Sequence, residues 1–164
     1  MKKIISLAAV LAALTLNACG NKSNETQNAE VPDFEKNYEY AQQGMAEAQY
    51  NLGIMYQYGE GAEMDLEQAF YWFKQAADQG MVEAQYNLGY LYITGQGTEQ
   101  DYEQAMFWFM KAADQGDADA LYNIGYMYYE GLGVKQDYEI AKYWFGMAAE
   151  QGSEEAKQLV EIQK

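Results

Sequence analysis

Few side chains in this sequence are equipped for chemistry. There is no histidine, and all ten basic residues among the 164 are lysines. The usual general base, the commonest zinc ligand and the bidentate phosphate clamp are therefore missing. Ser23 and Ser153 have no imidazole to activate them, and neither has the single cysteine, Cys19, so serine and cysteine triads are excluded. Carboxylate chemistry remains, because two of the 25 Asp and Glu residues could act as acid and base on a glycosidic bond. Their positions argue for structure instead. Asp65, Asp101 and Asp137 precede helical patterns, and Asp117, Asp119, Glu154 and Glu155 fall in first turns, where the helix dipole favours negative charge. Asp114, Asp117 and Asp119 are loosely spaced like calcium ligands, but D-Q-G-D-A-D lacks the loop glycine and terminal glutamate of an EF-hand. No metal or cofactor is expected, and a carboxylate-based cell-wall enzyme stays as a remote alternative. A net charge of −15 has the wrong sign for holding nucleic acid by its phosphates.

The elements that position these side chains follow from an internal repeat. AQYNLGIMYQYGEGAEMDLEQAFYWFKQAADQG starts at Ala48, a close copy starts at Ala84 and a third at Ala120, a spacing of 36 residues each time. Within each copy two helices are expected. Ala48, Leu52, Met55 and Tyr56 share one stripe of the first; Gly59 and Gly61 break it. Asp65 with Gln68, and Asp101 with Gln104, have the spacing of a capping box. Ala69, Trp72, Phe73, Ala76 and Ala77 form the stripe of the second helix, which ends at Gly80 as a left-handed cap. Gly53, Gly89 and Gly125 lie inside first helices, where each costs about 1 kcal/mol relative to alanine, so a close approach by a neighbour must compensate. Trp72, Trp108 and Trp144 are expected in the core, and Asn51, Asn87 and Asn123 as structural hydrogen-bonders.

The run A-x-Y-N-L/I-G-x-x-Y-x-x-G-x-G followed by D-x-x-x-A-x-x-W-F-x-x-A-A-x-Q-G resembles the Sel-one-like repeat, a relative of the tetratricopeptide repeat. The resemblance implies an all-α fold, an α/α superhelical solenoid of helix-turn-helix repeats. Residues 33–164 form the solenoid, with full repeats at 48–83, 84–119 and 120–155. Segments 33–47, with Phe34, Tyr38 and Ala41, and 153–164, with Ala156, Leu159 and Val160, are its capping helices. Some cysteine-rich relatives are linked to penicillin-like compounds; their paired cysteines are absent here, so that activity is not carried over.

The first residues read as an address. Lys2 and Lys3 precede a 13-residue apolar run from Ile4 to Leu16, shorter than the roughly 20 residues that span a bilayer. Its end, Leu16-Asn17-Ala18-Cys19-Gly20, resembles the bacterial lipoprotein signal, in which a small residue precedes an acylated cysteine. The resemblance implies a signal peptide at 1–18, lipidation of Cys19, and the outer membrane facing the periplasm, since residue 20 is glycine rather than aspartate. An ordinary signal would leave a free thiol in an oxidising compartment. Residues 19–32 then form the lipidated cysteine and a polar tether. Removal of 1–18 leaves 8 lysines against 25 acids, a net charge of −17.

Stacked as the resemblance implies, the first helices line a concave groove. Its partner-binding candidates are Glu47, Tyr50 and Tyr58; Glu83, Tyr86, Tyr90 and Ile93; and Asp119, Tyr122, Tyr126, Tyr129 and Glu130. Tyrosine suits interfaces because it offers large contact area at low entropic cost, and acids around it favour a basic protein partner. Tyr50, Tyr86 and Tyr122 recur at one repeat position and are open to a second reading, packing between repeats. Tyr90, Tyr126 and Tyr129 vary among the copies, as individual recognition requires. The function expected is a non-enzymatic, lipid-anchored protein-interaction module. By the same resemblance it is an immunity protein neutralising an antibacterial effector; alternatively it is an envelope assembly or stress-signalling scaffold.

Overall fold

The computed structural model describes residues 34–162, and the expected signal peptide, the expected lipidation site Cys19 and the expected tether lie outside them. Among the described residues there are eight helices and no strand: α1 Phe34–Gln42, α2 Ala46–Tyr58, α3 Leu66–Asp78, α4 Val82–Thr94, α5 Tyr102–Ala113, α6 Ala118–Glu130, α7 Tyr138–Glu150 and α8 Glu154–Ile162. Each helix packs chiefly on its neighbours in sequence, the pattern of an α/α solenoid. None is long and apolar enough to cross a membrane.

The same local chemistry starts each second helix. One carboxylate oxygen of Asp65 accepts the Glu67 and Gln68 amides at 3.0 Å, and Asp101 and Asp137 repeat the cap on α5 and α7. The expected capping box is only half made. The backbone N–H of Asp65, which Gln68 would have to reach back to, donates instead to the Tyr56 carbonyl at 2.9 Å, and Asp101 and Asp137 do the same to Tyr92 and Tyr128. That bond ties the start of each second helix to the end of the first. Gly59, Gly95 and Gly131 close the first helices with φ of 73°, 67° and 77°, a region costly for any other residue.

The glycines inside the first helices receive an aromatic ring. A Cβ on Gly53 would lie 2.6 Å from the Phe73 ring; on Gly89, 2.8 Å from Phe109; on Gly125, 2.8 Å from Phe145. Removing the side chain lets the ring of the second helix lie directly on the backbone of the first, and all three rings are buried. Trp72 and Trp108 are buried too, with indole N–H groups that make no hydrogen bond, so they serve as packing residues; Trp144 is half-buried.

Repeats are joined by two further devices. The turn glycine Gly97 abuts the Leu66 carbonyl, and Gly133 abuts Tyr102, so the turn of one repeat seats on the start of the preceding second helix. Gln49 and Gln85 are buried polar residues. Their side-chain nitrogens donate to the carbonyls of Ala41 (3.1 Å) and Ala77 (3.3 Å), and their oxygens accept from Gln79 (2.7 Å) and Gln115 (2.8 Å). At the ends, α1 buries Ala41 and places Tyr38 edge-on to Trp72, while Ser153 caps α8 through the Ala156 amide at 3.3 Å.

Gly89→Ala is expected to destabilise the fold by about 1–3 kcal/mol, because overpacking against a fixed ring outweighs the helix-propensity gain. Gly146→Ala, on α7, where a Cβ would meet nothing within 4 Å, is expected to stabilise by up to about 1 kcal/mol. Denaturant unfolding of both variants checks the pair; equal effects of one sign would contradict the ring-on-glycine account.

Candidate functional site

The outward stripe of the first helices carries the predicted residues at helical spacing: Glu47, Tyr50, Ile54 and Tyr58 on α2; Glu83, Tyr86, Tyr90 and Thr94 on α4; Asp119, Tyr122, Tyr126 and Glu130 on α6. Glu47, Glu83, Asp119, Tyr58 and Glu130 are exposed, whereas Tyr50, Tyr86, Tyr90, Ile93, Tyr122 and Tyr126 are half-buried. The recurring trio packs between repeats while keeping an outward edge. Tyr50 lies 5.7 Å from Phe73, Tyr86 5.8 Å from Phe109 and Tyr122 5.3 Å from Phe145, each at a tilt. Tyr90 and Ile93 flank the core cluster around Phe109 and Ile124.

The stripes face one another across repeats. Tyr50 of the first repeat is near Asn87 of the second, and Tyr86 of the second is near Asn123 of the third, whose side-chain nitrogen donates to the Asp119 carbonyl at 2.8 Å. Alongside each tyrosine stands an acid of the following repeat: Glu83 by Tyr50, Asp119 by Tyr86, Glu155 by Tyr122. Burial and then these carboxylates push the tyrosines above the ordinary phenol range; Tyr86, most affected, rises to about 12, with burial first and Asp119 next. Asp119 in turn is raised by burial and by Asp117 and Glu155. The result is a row in which tyrosines and like-charged acids alternate across repeats.

Tyr129 departs from this row. It stacks edge-on against Tyr138 at 5.3 Å, at the start of α7. With Tyr138, Glu139, Ala141, Lys142 and Phe145 it lines a shallow cavity of about 310 Å³. It is therefore grouped with the second helix of its own repeat rather than with Tyr90 and Tyr126. Sequence reasoning also left Glu155 out of the row, although it stands 36 residues after Asp119 and the period alone points to it. Asp117 is a helix cap, its carboxylate accepting the Ala120 amide at 2.6 Å. Among the described residues no three Asp, Glu, Cys or His side chains converge as metal ligands.

A family model of the Sel1 repeat matches residues 46–81, 82–117 and 118–153. The chain belongs to the Sel1 repeat family. The model frames the three units two residues earlier than the sequence pattern, at the first residues of α2, α4 and α6. Among solved structures, a Sel1 repeat protein from Oxalobacter formigenes is 37% identical with a TM-score of 0.74, over 77% of this chain and 52% of that one. The protein c5321, a protective antigen present in uropathogenic Escherichia coli strains, is 45% identical with a TM-score of 0.73, over 76% of this chain. The chain thus spans about half the length of the first and 27% of the second. Helicobacter pylori cysteine rich protein B shares the fold at 22% identity and a TM-score of 0.62, over 82% of this chain and 99% of that one. A comparison with curated proteins found no match. Sel1 repeats in general mediate protein–protein interaction and are generally non-enzymatic.

Because Tyr86 holds its proton to about pH 12 when folded against roughly 10 when unfolded, its contribution to stability is complete below pH 10 and lost as pH rises from 10 to 12. In ultraviolet titration, the difference between the native chain and Tyr86→Phe is expected to be a single phenol with its midpoint near 12. A midpoint at the ordinary value would contradict the burial of this hydroxyl beside Asp119.

Proposed function

We propose that this Sel1 repeat protein is a lipid-anchored, periplasm-facing interaction module that binds a basic protein through the first-helix row and performs no chemistry of its own. One observation carries the reading: the alternation of tyrosines with acids of the next repeat, Tyr50 with Glu83, Tyr86 with Asp119 and Tyr122 with Glu155. A partner that brings lysine or arginine to this row gains contact area from the rings. It also relieves the repulsion among Asp117, Asp119 and Glu155. The lipoprotein-like sequence around Cys19 supports anchoring at the outer membrane.

Within that reading, the partner is an antibacterial effector delivered into the periplasm, and the protein is its immunity factor. The acidity, the small array and the anchor support this assignment; a scaffold in envelope assembly or stress signalling would bind a resident envelope protein with the same row. The full chain, extracted in detergent, serves as bait against solubilised envelope and secreted effector fractions, with Tyr90→Ala/Tyr126→Ala as its comparison. We expect one basic protein retained by the native chain and lost, by about tenfold or more in affinity, with the double variant. Capture of a secreted toxin, with a deletion strain killed by its neighbours, fits immunity. Capture of a resident envelope protein, with a deletion strain that survives unharmed, overturns it in favour of the scaffold. Identical profiles from both baits would refute the groove itself.

A further inference from the structure

The second helices carry an aromatic row of their own. Tyr71, Phe107 and Tyr143 stand 36 residues apart, and although they are large and partly apolar they are 49%, 49% and 62% exposed. Single exposed aromatics are unremarkable; these three recur in the same register on successive second helices. Each meets the following tryptophan edge-on: Tyr71 on Trp72 at 4.9 Å, Phe107 on Trp108 at 5.1 Å and Tyr143 on Trp144 at 5.7 Å. One helical turn before each ring is an exposed acid, Glu67, Glu103 or Glu139. Every rung is thus an aromatic ring with a carboxylate on the same helical face.

The middle rung shows what such a site holds. Lys111, one turn after Phe107, places its ammonium 5.1 Å from the Phe107 ring centre and 5.7 Å from that of Trp108. That is a cation–π contact made by the chain with its own lysine. At the matching position the first repeat has Gln75 and the third has Met147, neither charged. Lys142, beside Tyr143 in sequence, lines the cavity with Tyr129 and Tyr138, and Lys74 is bonded to Asp78 at 2.7 Å.

We infer that the outer face of the second helices is a separate docking surface for a lysine- or arginine-rich peptide segment, whose cations seat on Tyr71 beside Glu67 and on Tyr143 beside Glu139. Lys111 fills the middle rung and excludes a third cation there. The surface lies on different helices from the first-helix row, so the two can be altered independently.

Binding of fluorescent deca-arginine to the full chain, followed by anisotropy at moderate salt, tests this. Tyr71→Leu/Tyr143→Leu keeps charge and apolar bulk but removes the rings, and is expected to raise Kd about fivefold or more, from two- to fivefold per ring. Tyr71→Phe/Tyr143→Phe is expected to bind as the native chain does, which separates loss of the π face from loss of a hydroxyl. Lys111→Ala is expected to tighten binding more than Lys135→Ala, a substitution of equal charge in an exposed turn. The first-helix variant Tyr90→Ala/Tyr126→Ala leaves Kd unchanged if the outer row is the site. The inference is overturned if the leucine pair binds like the native chain, if the two lysine variants are equivalent, or if the first-helix variant alone abolishes binding. Circular dichroism of each variant confirms that it is folded.

Discussion

A phenylalanine ring laid on bare backbone sets the geometry of every repeat. Phe73, Phe109 and Phe145 lie where a Cβ on Gly53, Gly89 or Gly125 would stand, which brings the two helices of each hairpin closer than any side chain would allow. Glycine in a helix interior costs about 1 kcal/mol, and burying a phenylalanine side chain contributes about 1.5–3 kcal/mol, so the exchange favours the fold. Each ring also meets Tyr50, Tyr86 or Tyr122, with centroids 5.3–5.8 Å apart. One ring therefore both closes the hairpin and props the tyrosine of the outward row. The candidate surface is a direct continuation of the core, and its tyrosines are held rather than free to reorient.

Coupling between repeats is carried by different chemistry. Gln49 and Gln85 are buried amides whose hydrogen-bonding groups are met by the preceding helix and by a glutamine 30 residues later. Each pair makes burial of a polar side chain tolerable only when the neighbouring repeat is in place. At the third copy the buried glutamine becomes Leu121, packed with Ala148 and Ala156, so the last junction rests on apolar contact. The array is stitched more by polar specificity at its start and more by hydrophobic burial at its end. In a solenoid whose stability is close to a sum over neighbours, this makes the junctions unequal.

The fold was legible because three copies of one pattern repeat the same helix, turn and cap signals, each too weak alone to fix an architecture. The capping aspartates, the closing glycines and the two end helices were all readable from residue type. The reciprocal half of the capping box was not, because the Asp65 amide has a better-placed acceptor in Tyr56, a tertiary choice that local spacing does not reveal. Gln49 and Gln85 look like surface residues until the partner amides are seen. The site was legible in part. Period and helical spacing put the tyrosines and acids on one stripe, but not the pairing of each tyrosine with an acid of the next repeat, which depends on how repeats stack. Tyr71, Phe107 and Tyr143 escaped notice because they sit inside Phe-Tyr-Trp-Phe and related runs that read as core, with only the helical phase to tell the outward ring from its buried neighbours.

Electrostatics ties the two faces together. With 25 acids against 10 lysines, the chain carries like-charge repulsion in its folded state, visible where burial, Asp117 and Glu155 hold Asp119 above the usual carboxylate range and where carboxylates raise the neighbouring tyrosines. Repulsion of this kind lowers the stability of the free protein, and a cation bound nearby recovers it, so a basic ligand gains from relief as well as from contact. Lys111 shows the relief made internally, one cation over two rings in a field of acids. The strained carboxylates lie on the first helices and the unfilled aromatic rungs on the second, so the two faces reward a cation by different means: charge neutralisation on one, ring contact on the other. Salt screens the first strongly and the second less, and that difference is what would let two basic segments be held at once without competing for the same interaction.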